Sequence, residues 1–289
     1  MPVHTEGAQR ASRHRSYRLT ISLAIALVFA GVGLAAQPTP ADAAGKRVVI
    51  VVGPVESSTA KYIAAAKLLA AQARSYGATV IEVYSPNATW TRVKSAAQGA
   101  NVLIYLGHGN GHPSPYGAFS SKSKDGMGLN PSLGSTAHKY YGEYYIDREI
   151  NLAPNAVVIL NRLCYASGNS EPGRANPTAA VARQRVDNFG AGFLRTNARA
   201  VFAEGIDSAG YILFGLFKTN RSIRQIFWSD PAADGRYDLS YPSKRTPGKH
   251  ILLDPLGRDR YYRSVVGDLD MTVKAWRSSS LDGAVALTR

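Results

Sequence analysis

The chain has 289 residues, 45% of them apolar, a single cysteine and a formal charge of +14. That length suffices for one α/β domain with a full core. One cysteine excludes an internal disulfide, and scattered basic residues without a nucleic-acid motif speak against binding DNA or RNA.

In chain order, Arg10, Arg13, Arg15 and Arg18 precede an uncharged stretch from Leu19 to Ala36, and Ala41-Asp42-Ala43 supplies a small-x-small cleavage pattern. These features predict an export signal over residues 1–43, the alternative being an uncleaved membrane anchor. About 245 residues carrying a charge near +12 then remain. Such a balance suits anionic cell-envelope polymers or lipid headgroups, and equally serves solubility alone. Arg47 to Gly53 is a continuous β-branched run, the pattern of a central strand buried on both faces. Tyr62, Ile63, Ala66, Leu69, Ala70 and Ala73 then repeat at helical spacing up to Gly77. Thr79 to Tyr84 predicts a second strand, Thr89 to Ala97 a short helix and Val102 to Leu106 a third strand. This βαβ series predicts a mainly parallel sheet with right-handed crossovers.

A connection of about 45 residues follows, far longer than usual. Its second part holds Tyr140, Tyr141, Tyr144 and Tyr145, which either cover the sheet edge or line a groove. Ala156 to Leu160 predicts a fourth strand, Thr178 to Phe189 a helix and Ala200 to Ala203 a fifth strand. Helical patterns over Ser208 to Lys218 and Ser222 to Trp228 close an α/β domain over residues 44–228. Residues 229–289 read as edge strands or a small β extension of the same domain, with a frayed end from Asp282.

The chemistry gathers at two strand ends. His108 follows the third strand between Gly107 and Gly109, and Cys164 stands just beyond the fourth. Neighbouring parallel strands deliver such residues to one sheet edge, where ligands bind in open α/β folds. A thiol is only partly ionised at neutral pH, so an imidazole beside it serves as proton acceptor and donor. The N–H groups of Gly109 and Cys164 are candidate oxyanion donors. Ser167, Gly168, Asn169, Ser170 and Glu171 form a polar turn that either binds the substrate main chain or is simply a turn. His108 and His112 stand four apart, but Gly109, Gly111 and Pro113 oppose the helix a metal pair needs, so no metal ligand is expected. His138 and His250 read as loop or surface histidines.

The runs Val102-Leu103-Ile104-Tyr105-Leu106-Gly107-His108-Gly109 and Val157-Val158-Ile159-Leu160-Asn161-Arg162-Leu163-Cys164 resemble the His-Gly and Cys strand ends of the caspase, gingipain and legumain clan of cysteine peptidases. The resemblance implies a caspase-like three-layer sandwich, strand order 2-1-3-4, and a His108–Cys164 dyad that cleaves peptides without a metal or organic cofactor. Leu163 departs from the clan's small residue before the nucleophile. Arg162 falls where caspases line the first specificity pocket, and would there favour an acidic side chain; otherwise it faces solvent. With Ser167 and Asn169 it makes up the expected substrate-binding set. The alternative function is a non-catalytic binding module on the same scaffold, with Cys164 as a buried hydrophobe. A catalytic thiol is expected to react with an alkylator faster than a free one, with His108 responsible for the difference.

Overall fold

The computed structural model describes residues 45–278. The expected export segment and the C-terminal end from Asp282 lie outside them. The chain opens with β1 (Arg47–Val52), a single 3-10 turn (Glu56–Ser58) and α1 (Thr59–Ser75), then β2 (Thr79–Tyr84), α2 (Trp90–Ala97) and β3 (Val102–Leu106). The long connection carries β4 (Met127–Leu129), β5 (Lys139–Tyr141) and α3 (Glu143–Glu149). After it come β6 (Ala156–Asn161), α4 (Ala179–Leu194), β7 (Ala198–Glu204), α5 (Gly210–Lys218) and α6 (Ile223–Phe227). Three more strands, β8 (Leu239–Pro242), β9 (His250–Leu256) and β10 (Arg260–Gly267), precede α7 (Val273–Ser278).

The main sheet has the order β2-β1-β3-β6-β7-β10-β9-β8. Its first five strands run parallel and the last three are antiparallel additions. The parallel part has the strand order that the resemblance implies. Alternate side chains of each central strand enter different cores. Val48, Ile50 and Val52 pack with α1, α5, α6 and α7 on one face, whereas Val49 and Val51 pack with α2, α3 and α4 on the other. The layers are therefore helix, sheet, helix, which is why the strands read as unbroken apolar runs.

Apolar faces on both sides leave alternation unable to fix the register. The strand ends do so instead. Arg47 N–H donates to Asn101 Oδ1 at 2.9 Å, and Gly53 N–H donates to the Leu106 carbonyl at 2.9 Å. Leu106 then sits level with Val52 on one side and with Asn161 on the other. The segments leaving β1, β3 and β6 thus emerge side by side at the C-terminal edge.

The long connection is folded back by buried polar ties. Tyr105, fully buried, accepts the Gly128 N–H at 2.8 Å, and its hydroxyl lies 3.0 Å from the His108 carbonyl and 2.9 Å from that of Gly128. Asn130 accepts the Ala88 N–H at 3.0 Å. Two of the four tyrosines cover the fold: Tyr141 stacks on Trp90 with centroids 5.0 Å apart, and Tyr145 meets the edge of that indole. Tyr140 is different, because its ring lies 5.0 Å from that of His138.

Candidate active site

His108 leaves β3 two residues past Leu106, and Cys164 leaves β6 three residues past Asn161. Their backbones are in contact. A Cβ built on Gly109 would fall 1.9 Å from the Cys164 carbonyl oxygen and 3.1 Å from its nitrogen, so only glycine fits there. Among the described residues, neither the Gly109 nor the Cys164 N–H has an acceptor. Both expected oxyanion donors are therefore free at the joint between the two strand ends.

The imidazole is held by a residue that the sequence reading did not single out. Glu56, three residues after Gly53, places its carboxylate oxygens 2.9 and 3.2 Å from His108 Nε2. Its turn is closed by Thr59, whose Oγ1 accepts the Val55 N–H and donates to the Glu56 carbonyl, both at 2.9 Å. Strand order explains the placement, since β1 lies beside β3 and its exit loop must pass His108. Glu56 thus engages Nε2, and Nδ1 is the other ring nitrogen. His138 is, as expected, an exposed loop histidine, and its ring lies 4.7 Å from that of His108 with its Nδ1 3.6 Å from Glu56 Oε1. Burial, and then His108, lower the pKa of His138. No sequence motif marks it. His112 is separated from this group: its N–H donates to buried Asp125 at 3.0 Å and its ring meets Phe119.

The cysteine side is built differently. Cys164 lines a cleft of about 370 Å³ together with Tyr62, Arg162, Asn169, Glu171 and Arg174, and His108 is not among the lining residues. Burial first, and the Glu171 charge second, push the thiol up to about 11 from an ordinary 9.0. A thiol raised in this way tends to keep its proton at neutral pH, whereas the thiols that react fastest are those with a lowered pKa. Tyr140 feels the charges of groups on both sides. Burial raises its phenol to about 12, with Glu171, Cys164 and Glu56 adding to the shift.

The turn around Cys164 is tense and well tied. Arg162 and Tyr165 adopt φ of +63° and +69°, and Glu56 across the joint adopts +45°, a region that side chains other than glycine seldom occupy. Arg162 N–H donates to the Glu204 carbonyl at 2.6 Å, and Asn161 Nδ2 donates to the same oxygen at 3.1 Å. Below the turn lies Arg185, also missed in the sequence. Its guanidinium donates to the carbonyls of Asn169 at 2.7 Å, Gly168 at 3.2 Å and Pro113 at 2.8 Å, and its plane covers Tyr165.

Of the expected substrate-binding residues, Arg162 and Asn169 reach the cleft, and Asn169 Oδ1 has no partner among the described residues. Ser167 does not. It is fully buried and its hydroxyl donates to the Tyr261 carbonyl at 2.8 Å, which makes it a tie to β10 with no face toward a ligand.

No family model and no curated protein matches the chain. Among solved structures it is similar to the Arg specific cysteine proteinase gingipain R, at 20% identity and a TM-score of 0.31, over 58% of this chain and 34% of that one. The chain thus spans about a third of the length of that protein.

Proposed function

We propose that this chain is an exported cysteine peptidase of caspase-like type. Cys164 attacks the substrate carbonyl carbon. His108 takes the thiol proton as the sulfur–carbon bond forms and returns it to the leaving amine as the carbon–nitrogen bond breaks. Water then hydrolyses the thioester, with His108 again as base. The raised thiol pKa makes this concerted transfer necessary, because few thiolates stand ready at neutral pH. Glu56 acts as a positioning residue that holds the ring through Nε2, and the Gly109 and Cys164 N–H groups receive the oxyanion. Arg162 and Arg174 outnumber Glu171 around the cleft and favour an acidic substrate side chain, while Asn169 Oδ1 accepts a substrate N–H.

The observation that carries this reading is the contact of Gly109 with the Cys164 backbone, which sets thiol and Glu56-held imidazole on adjoining strand ends. One observation favours a second reading, a non-catalytic module that binds anionic polymers: a thiol pushed up by burial is not poised as a nucleophile. Hydrolysis of a peptide library, with acidic and basic residues before the scissile bond, separates the two. The peptidase reading expects cleavage that Cys164→Ala and His108→Ala each lower by about 10³-fold or more. No cleavage supports the module, and cleavage that survives both changes removes the His108–Cys164 dyad.

A further inference from the structure

The Glu56, His108 and His138 group is more than a hydrogen-bonded pair. Its ligand atoms all lie within 4.8 Å of one another, and they come from three separate segments: the turn after β1, the exit of β3 and the residue before β5. Two imidazoles and a carboxylate form the donor set that zinc-class ions prefer, whereas calcium and magnesium require oxygen donors. At zinc distances of about 2.1 Å, tetrahedral ligand atoms stand roughly 3.4 Å apart. His138 Nδ1 and Glu56 Oε1 already lie 3.6 Å apart. His108 Nε2 and Glu56 Oε2 at 2.9 Å need open only slightly. Glu56 can make that adjustment, because its side chain is 66% exposed. Three protein ligands leave a fourth position for water, as in exchangeable sites.

We propose that Glu56, His108 and His138 bind one zinc-class divalent ion, and that the ion switches off the peptidase by capturing its base and the carboxylate that holds it. The binding half stands on the geometry alone; the inhibitory half rests on the function proposed above. Metal capture fixes His108 Nε2 on the ion, draws electron density from the ring and blocks its role as proton acceptor for Cys164. His138 has no part in the proposed catalysis, so it separates the two halves.

The test titrates the folded protein with zinc chloride by calorimetry and with cobalt chloride by visible absorption, alongside peptide hydrolysis. The expected result is one ion per chain, a tetrahedral cobalt spectrum, and hydrolysis lost on zinc addition and restored by a chelator. His138→Ala should weaken binding at least 10-fold, keep basal hydrolysis and escape zinc inhibition, while Cys164→Ala should bind as the parent does. Absence of binding, or binding lost in Cys164→Ala and kept in His138→Ala, overturns the site. Binding with undiminished hydrolysis overturns the inhibitory half. Binding in a chain that cleaves nothing confirms the site and removes the peptidase reading instead.

Discussion

The two adjoining strand ends are held by opposite means. On the imidazole side, His108 and Glu56 are partly open to water and meet through a hydrogen-bonded contact on a short turn. On the thiol side, Cys164 sits in a partly buried turn fixed by Arg185, by the Glu204 carbonyl and by Ser167. Exposure lets a side chain adjust to a substrate or an ion, whereas a network of buried hydrogen bonds fixes geometry at the cost of a raised thiol pKa. Under the proposed function, the rigid side would shape specificity and the soft side would move the proton.

The largest effect is expected where the sides meet. Gly109→Ala forces a methyl group into the Cys164 carbonyl, and the two strand ends must part. Turnover should fall by about 10²-fold or more while circular dichroism keeps the native spectrum; undiminished turnover would mean the joint does not position the chemistry. Breaking the rigid side comes next. Arg185→Met removes donors from three carbonyls and should cost about 2–4 kcal/mol in chemical denaturation. It should also raise KM, since Asn169 and Glu171 line the cleft. Breaking the soft side should be milder. Glu56→Gln keeps an acceptor oxygen, so kcat should drop about 10-fold with KM unchanged, and Glu56→Ala should drop it further. A KM effect alone would assign Glu56 to substrate binding.

The smallest effect sharpens the thiol side. A folded pKa of about 11 against an ordinary 9.0 means the folded chain keeps a proton that the unfolded chain releases. The Cys164 contribution to stability is therefore complete below pH 9 and is lost as pH rises through about 11. Denaturation at pH 8 and pH 10.5 should show a decline that Cys164→Ala lessens. At neutral pH iodoacetamide should label Cys164 more slowly than a free thiol, and faster labelling would contradict the burial argument.

The inner parallel strands could be read from the sequence because burial on both faces leaves unbroken runs such as Val48 to Val52 and Val157 to Leu160, whereas the edge strand β2 is only partly buried. The three-residue strands β4 and β5 could not, since tertiary ties hold them: Tyr105 binds Gly128, and Trp90 stacks on Tyr141. Strand β8 ends at Pro242, which a sheet edge tolerates and a sequence pattern hides. His108 and Cys164 were legible because strand ends point to one sheet edge. Glu56 becomes legible only once β1 is known to lie beside β3. His138 comes from midway along the long connection, just before β5, and carries no local signal. Ser167 was misread because a polar turn residue and a buried tie look alike until β10 is in place.

The measurement that bears most directly on the central claim is intact-mass spectrometry of the chain mixed with an activated peptide ester. The account predicts a single acyl adduct on Cys164, formed readily by the parent, more slowly by Glu56→Gln and barely at all by His108→Ala. Acylation at another residue, or at the same rate without His108, would contradict a thiol and imidazole working together across the two strand ends.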